Sequence, residues 1–157
     1  MKNKTNPFGN SRYMQGLFKP NFPDKYKGNP KNIQFRSSWE FSFMMKLDKD
    51  PTIVEWSSEE LWIGYVSPKD QKWHRYFPDV IYKKKNPDET VDIYMVEIKP
   101  SAQTKKPVNK TGKRATKTML TEAMTYAINN SKWAYAAKYC EKRGWKFRII
   151  TEKELFT

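Results

Sequence analysis

The 157-residue chain has very little cysteine or histidine: it contains one of each, Cys140 and His74. A lone cysteine forms no internal disulfide, and one cysteine with one histidine cannot build a Cys/His zinc site. Zinc fingers and zinc hydrolases of that type are therefore excluded. Cys140 lies at helical spacing from Trp133 and Ala137, which predicts a buried core residue. His74 is interpreted as a surface or strand histidine rather than as a lone general base.

Long apolar runs are also missing. No segment is long and apolar enough to span a bilayer, and the first residues lack the apolar core of a signal peptide. We therefore expect no membrane partner and a protein made and used in a reducing cytoplasm. The length corresponds to a single domain, since domains usually contain roughly 100–200 residues.

Acidic residues are scarce relative to basic ones, with 17 Asp and Glu against 30 Lys and Arg, so that the formal charge is +13. This excess favours a polyanion such as DNA as the partner. The charge is uneven, because residues 1–36 carry +7, residues 37–98 carry −4 and residues 99–117 carry +7. An aromatic fraction of 15% supplies enough bulk for a packed core. A wholly disordered basic protein is thus excluded.

The two basic segments have no sustained helix or strand period. Residues 1–36 are rich in Pro, Asn and Lys, which predicts an extended N-terminal arm before a domain at 37–157. Residues 100–117 predict a mobile basic loop. A solvated charge run is the alternative for both. The candidate DNA-binding residues are Arg12, Lys19, Lys25, Lys27, Lys31, Arg36, Lys105, Lys106, Lys110, Lys113, Arg114 and Lys117.

The aromatic residues of the arm allow two interpretations. Tyr13, Phe18, Phe22 and Tyr26 alternate with its positive charges. Such side chains can stack on nucleic-acid bases, or they can pack the arm onto the domain. The sequence alone does not separate these two interpretations.

The rest of the chain predicts a mixed α/β domain with a central sheet of about five strands flanked by helices. Ser37 to Glu40 has the Ser-x-x-Glu pattern of a helix start, and Gly144 is a natural helix stop. Thr151 to Glu154 repeats the capping pattern before a short last helix. Strands are predicted at 52–56, 61–66, 73–83 and 91–98, as a meander, and at 146–150; long helices are predicted at 118–129 and 131–143.

Three carboxylates, Glu40, Asp79 and Glu97, and one lysine, Lys99, are placed unusually for residues that only support a fold. Asp79 follows Pro78 within a predicted strand, where both residue types are rare, so a kinked strand that presents a carboxylate is expected. Glu97 and Lys99 are two residues apart near a strand end and therefore share a face. If the neighbouring strands bring Asp79 beside Glu97, their oxygens can hold Mg²⁺ together with water and a phosphate. This is the outline of a phosphodiester hydrolysis site.

Each of these residues also has a structural interpretation. Glu97 and Lys99 can be a solvated strand end, and Asp79 an edge or turn carboxylate. Glu40 can complete the metal shell, directly or through water, but position N3 of a capping box explains it fully. In the catalytic interpretation, by contrast, Lys99 would orient or help deprotonate the attacking water and stabilise the anionic transition state.

Together, Pro78-Asp79, Glu97-Ile98-Lys99 and Glu40 on the preceding helix resemble the motif of the PD-(D/E)xK nuclease superfamily. Residues 33–156 are also similar to the endonuclease subunits of heteromeric bacterial transposases and to the head completion nucleases of tailed bacteriophages. The resemblance implies a restriction-endonuclease-like fold. It also implies that Asp79 and Glu97 are metal ligands, that Lys99 is the catalytic lysine and that Glu40 is the helix carboxylate.

The function expected from this resemblance is a metal-dependent endodeoxyribonuclease that uses Mg²⁺, with Mn²⁺ as a substitute, on double-stranded DNA. In a phage it would process the packaged DNA end before neck and tail attachment, beside portal or neck proteins, in the virion and the host cytoplasm. A Holliday-junction resolvase or repair nuclease is one alternative. A non-catalytic DNA-binding structural protein of the virion is the other.

Overall fold

A computed structural model describes residues 14–109 and 112–156 of the chain. Its helices and strands alternate along the sequence, as expected for a mixed α/β domain. The strands are β1 (Gly16–Phe18), β2 (Ile33–Phe35), β3 (Ile53–Ser58), β4 (Ile63–Val66), β5 (Trp73–Tyr76), β6 (Val80–Lys85), β7 (Val91–Ile98) and β8 (Lys146–Ile150). The α-helices are α1 (Ser38–Lys49), α2 (Lys117–Arg143) and α3 (Glu152–Leu155), and short 3-10 helices lie at Pro23–Lys25 and Ser101–Thr104.

The central sheet contains four strands in the order β3-β6-β7-β8. The pairs β3–β6 and β6–β7 are antiparallel, whereas β7–β8 is parallel. The prediction of a mixed sheet flanked by helices is confirmed, with four strands in place of about five.

The central sheet has a packed core on each face. Tyr94, Val96 and Ile98 of β7 belong to the core that contains α1 and α3. Met95, on the opposite face of the same strand, packs in the core that contains α2. Because side chains alternate along a strand, Glu97 lies on the α2 face, together with Met95.

The predicted meander is wrong. The predicted strand at 73–83 is two strands, β5 and β6, separated by Phe77, Pro78 and Asp79. Proline cannot donate a ladder hydrogen bond and so interrupts the strand. β4 and β5 form a separate two-stranded sheet, and β6 returns to pair with β3.

The two helices predicted at 118–129 and 131–143 form one helix, α2. The polar residues at the expected break are accommodated within it. Asn130 Nδ2 donates to the carbonyl of Tyr126 at 2.8 Å, and Ser131 Oγ donates to the carbonyl of Val66 at 2.7 Å. Gly144 ends the helix as predicted, in the left-handed conformation with a φ of 70°.

Residues 14–36 belong to the predicted arm but are not a free extended segment. β1 and β2 pair with each other, and Phe18, Tyr26, Ile33 and Phe35 are buried in the core. Packing is therefore the correct interpretation for Phe18 and Tyr26, whereas Phe22 is exposed. Tyr13 and the rest of residues 1–13 lie outside the described residues.

Asp48 and Lys25 fasten this N-terminal segment to the end of α1. Asp48 is 2% exposed, and its carboxylate accepts hydrogen bonds from the backbone N–H groups of Asn21 and Phe22. Lys25 Nζ donates to the carbonyls of Leu47, Asp48 and Asp50, each at 2.8 Å. An ammonium has three donors, so these contacts occupy all of them.

Candidate active site

Asp79 lies directly before β6, where the chain bends at Pro78. The β6–β7 register begins with Val80 opposite Val96, which places Asp79 beside the end of β7. Its Oδ2 accepts a hydrogen bond from the backbone N–H of Ile98 at 2.7 Å. The break between β5 and β6 thus turns this carboxylate toward the neighbouring strand.

Glu97 is 6% exposed, which is rare for a glutamate, and contacts two polar side chains. The Tyr76 hydroxyl donates to its Oε2 at 2.6 Å, and Lys99 Nζ lies 3.6 Å from its Oε1. Burial raises the pKa of Glu97, while the hydrogen bond from Tyr76 and the charge of Lys99 oppose that shift. The carboxylate is therefore held in a fixed orientation at the end of β7.

The two carboxylates repel each other. Burial raises the pKa of Asp79 well above its usual range, and the negative charges of Glu97 and Glu40 raise it further. Such strongly shifted carboxyl groups are typical of functional sites. A divalent cation between Asp79 and Glu97 would offset this repulsion with the hard oxygen ligands that Mg²⁺ prefers.

The donor set therefore fits Mg²⁺. No group of three or more His, Cys, Asp or Glu side chains within the described residues comes together as a complete metal cage. Mg²⁺ does not require one, since it is commonly bound by one or two carboxylates, several waters and substrate phosphates. Asp79 and Glu97 are the residues that would hold it.

Glu40 combines a structural contact with proximity to this site. Ser37 is the N-cap of α1 and its Oγ accepts from the backbone N–H of Glu40 at 3.1 Å, as the capping pattern predicts. The Glu40 carboxylate accepts from the N–H of Arg36 at 3.0 Å, one residue before the N-cap. Burial raises the pKa of Glu40, and the charges of Glu59 and Glu97 contribute to the same shift. The role of Glu40 as a metal ligand remains a prediction.

A cleft of about 230 Å³ opens between the start of α1 and the end of β7. Glu40 and Lys99 lie on its walls, together with Trp39 and Gln103. Lys99 is partly exposed, with a side-chain accessibility of 29%, so its ammonium can reach a bound molecule. Of the four predicted catalytic residues, Glu40 and Lys99 line this cleft, whereas Asp79 and Glu97 do not.

Sequence reasoning missed three residues around the site. Tyr76 contacts Glu97 directly, and Lys132 of α2 lies within the electrostatic field of Glu97, Lys99 and Asp79. Glu59 pairs with Arg36 at 3.0 Å, and its backbone N–H donates to the carbonyl of Asp79. The proximity of Tyr76 and Lys132 depends on how the β4–β5 hairpin and α2 dock, which no local spacing reveals.

The predicted DNA-binding residues differ in their surroundings. Most of those described are exposed: Lys19, Lys27, Lys31, Arg36, Lys105, Lys106, Lys113, Arg114 and Lys117. Arg36 is engaged by Glu59, and Lys27 lies 3.7 Å from Glu55. Lys25 is assigned a structural role instead, at the end of α1. Arg12 and Lys110 lie outside the described residues.

The two residues that the composition singled out are accounted for. Cys140 is 1% exposed and contacts Met95, and burial raises the pKa of its thiol to about 11. His74 is exposed on β5, and its Nε2 lies 2.8 Å from a carboxylate oxygen of Asp70. Both predictions are confirmed.

No helix in residues 14–109 and 112–156 is long and apolar enough to cross a membrane.

The chain is similar to known nucleases. Residues 50–152, which include Asp79, Glu97 and Lys99, match the family described as TnsA-like endonuclease N terminal. The chain is also 39% identical over 142 residues to the head completion nuclease of Enterobacteria phage T4. That alignment covers 89% of this chain and 92% of the relative. The chain thus belongs to the TnsA-like endonuclease N-terminal family, and its role is that of a nuclease.

Proposed function

We propose that this protein is a Mg²⁺-dependent endodeoxyribonuclease that processes the packaged DNA end of a phage head before the neck and tail attach. The observation that carries the proposal is the meeting of Asp79, Glu97 and Lys99 at one edge of the central sheet. Similarity to a head completion nuclease over most of both chains supports the biological setting.

The carboxylates of Asp79 and Glu97 provide the negative charge that a divalent cation needs. Mg²⁺ bound there supplies Lewis-acid activation of the phosphate and lowers the pKa of a bound water. Tyr76 fixes the orientation of Glu97, and the backbone N–H of Ile98 fixes Asp79. Such supporting hydrogen bonds commonly set the affinity and geometry of a metal site.

Lys99 supplies the positive charge for the reaction itself. Hydrolysis adds water to the phosphorus atom, breaks one P–O bond of the backbone and leaves a phosphate and a hydroxyl. The Lys99 ammonium can donate to a phosphoryl oxygen on which negative charge develops, or orient the attacking water. Its pairing with Glu97 at 3.6 Å keeps it at the edge where the phosphate would bind.

The surrounding surface provides the basic residues that a duplex requires. Lys105, Lys106, Lys113, Arg114 and Lys117 are exposed in the segment that follows Lys99. Contacts from such residues to phosphates give affinity without sequence preference. We infer that this segment binds the DNA backbone beside the cleft.

The proposal is tested with a panel of substrates and metals. Purified protein is incubated with linear duplex, supercoiled plasmid and a four-way junction, each in Mg²⁺, Mn²⁺, Ca²⁺ or EDTA. We expect cleavage of duplex DNA in Mg²⁺ and Mn²⁺ and none in EDTA. Selective cleavage of the junction would favour a resolvase. Tight DNA binding with no cleavage in any metal would favour a structural protein of the virion.

A further inference from the structure

Lys132 lies on α2, and its side chain is only partly exposed. Its Nζ is 5.7 Å from the ring centroids of both Tyr65 and Tyr76. Tyr65 and Tyr76 are buried on the β4–β5 hairpin, on the side that packs against α2. Attraction between an ammonium and aromatic rings at such distances holds the cation in place.

The position of Lys132 connects it to the candidate active site. Tyr76, whose ring contacts Lys132, donates its hydroxyl to Glu97. Burial lowers the pKa of Lys132, the charge of Glu97 opposes that shift, and the positive charge of Lys99 adds to it. Lys99, directly after β7, and Lys132 of α2 therefore both interact electrostatically with Glu97 from different parts of the chain.

Among residues 14–109 and 112–156, Lys132 forms no ion pair within 4.0 Å. Within the described residues, Glu97 forms its ion pair with Lys99, at 3.6 Å, and no carboxylate forms one with Lys132. Most lysines extend their charge into water, and burial of an unpaired ammonium costs free energy. A partly buried cation near Glu97, Lys99 and Asp79, with no ion pair of its own among the described residues, is therefore suited to an anionic ligand.

We propose that Lys132 is a second phosphate-binding cation of this site. Its ammonium contacts a non-bridging oxygen of the DNA backbone at or next to the phosphate that reacts. This inference rests on the proposed function, since the ligand is the phosphodiester of the substrate. Lys132 and Lys99 together offset the repulsion between that phosphate and the carboxylates of Asp79, Glu97 and Glu40.

The test compares Lys132→Met and Lys132→Gln with Lys132→Arg and with a control, Lys138→Met. Lys138 is exposed on the same helix, one and a half turns or so further on, since a turn contains about 3.6 residues. Three quantities are measured: the single-turnover rate of duplex cleavage in Mg²⁺, the salt dependence of duplex binding in EDTA, and the melting temperature.

We expect the Met and Gln variants to cleave about 100-fold more slowly than the wild type, the scale seen when one donor to a reacting oxyanion is removed. The slope of log affinity against log salt should shrink in magnitude by about 0.9, the loss of one phosphate contact. Lys132→Arg should recover part of the cleavage rate and part of the salt slope. Lys138→Met should match the wild type in both.

Unchanged cleavage and an unchanged salt slope in the Lys132 variants would overturn the inference. Slower cleavage with an unchanged slope would also overturn it, because Lys132 would then only position Glu97. If the wild-type protein cut no DNA in any divalent metal, the proposed function would fail, and the salt slope alone would decide for or against Lys132. The Gln variant keeps a polar side chain and provides a second readout if the Met variant folds poorly.

Discussion

At the scale of single residues, Asp79 and Glu97 are maintained at the expense of stability. Both carboxyl groups are held where burial raises their pKa, and the charge of Glu97 raises that of Asp79 further. A protein selected only for folding would replace such groups by neutral ones, and active sites commonly carry this kind of cost. The proposed cation, bound between them, would offset this cost.

Asp79→Asn should stabilise the metal-free protein at pH 8. Because the folded-state pKa of Asp79 is raised, the folded state favours the protonated form, so stability falls as pH rises from the usual carboxyl pKa of 3.8 through the raised value. The amide of the Asn variant does not ionise, so the variant should not lose this stability as the pH rises. We expect its melting temperature in EDTA at pH 8 to exceed that of the wild type by ~2–4 °C, corresponding to about 1 kcal/mol.

The same melts with Mg²⁺ provide the control. The cation should raise the melting temperature of the wild type, because a ligand that binds only the folded state stabilises it. It should have little effect on the Asn variant. A variant less stable than the wild type in EDTA at pH 8 would contradict the account of Asp79.

Tyr76→Phe should weaken the site without disturbing the fold. The change removes the 2.6 Å hydrogen bond to Glu97 and keeps the buried ring. Loss of such a supporting contact typically costs about 10–100-fold in metal affinity or activity. A Mg²⁺ titration of the cleavage rate should therefore give a higher half-saturating concentration.

Tyr65→Phe is the matched control for this prediction. Tyr65 is also buried on the hairpin and close to Lys132, but within the described residues no hydrogen bond joins its hydroxyl to Glu97. The cleavage rate of Tyr65→Phe should depend on the Mg²⁺ concentration in the same way as that of the wild type. Equal half-saturating Mg²⁺ concentrations for Tyr76→Phe and the wild type would show that Tyr76 does not position Glu97.

At the scale of elements, the end of α1 is where the N-terminal segment is fastened. The last carbonyls of a helix lack partners within the helix, and a nearby cation also interacts favourably with the helix dipole. Lys25 meets the carbonyls of Leu47, Asp48 and Asp50 in this way. The Asp48 carboxylate adds two further acceptors at the end of α1, for the backbone N–H groups of Asn21 and Phe22 in the segment.

Lys25→Met should destabilise the protein by about 1.5–3 kcal/mol, the range for a lost hydrogen bond to a charged group. The measurement is urea-induced unfolding. Lys27→Met is the control: its side chain is exposed and makes one ion pair, at 3.7 Å, so its loss should cost less than about 1 kcal/mol. Equal stability of the two variants would remove the structural role assigned to Lys25.

The helices and strands also show which parts of the fold can be predicted from sequence patterns. The start of α1 at Ser37, the stop at Gly144 and the capping box at Thr151 depend on neighbouring residues, and the structure contains all three. The pairing of β3 with β6 does not depend on neighbouring residues, because the β4–β5 hairpin lies between these two strands along the chain. Local propensity carries no record of such a return.

The candidate site shows the same division. Glu97 is in β7 and Lys99 directly follows the strand, so their common face follows from the two-residue spacing. Pro78 marks the break that presents Asp79. Tyr76 and Lys132 reach Glu97 only after the hairpin and α2 have docked. Charge alone predicts a DNA-binding role for Lys25. Its structural role is hidden from local patterns because its acceptors lie more than 20 residues away along the chain.

At the scale of the whole molecule, charge is separated between a site and its surroundings. Residues 37–98, which hold Asp79 and Glu97, carry −4, whereas residues 99–117 carry +7 within a total of +13. For the proposed function, a DNA duplex would be attracted to the basic residues and repelled by the carboxylates unless a cation neutralised them. DNA binding and metal binding should therefore reinforce each other.

Neutralising two lysines of the basic segment should weaken DNA binding in a salt-dependent way. In Lys105→Gln/Lys106→Gln we expect the slope of log affinity against log salt to fall in magnitude by up to about 2, since each phosphate contact contributes about 0.9. Fluorescence anisotropy with a labelled duplex measures it. Lys138→Gln/Lys142→Gln removes the same charge from the far half of α2, and an equal effect there would mean that only net charge matters.

The central claim is that Asp79, Glu97 and Lys99 form a phosphodiester-cleaving site, and single-turnover cleavage by Lys99→Ala tests it most directly. In Mg²⁺, with enzyme in excess over a labelled duplex, we expect a rate at least ~100-fold below that of the wild type. Duplex binding and melting temperature should stay close to those of the Lys138→Ala control. If the Lys99→Ala protein is folded, binds the duplex and still cleaves it at the wild-type rate, the claim is contradicted.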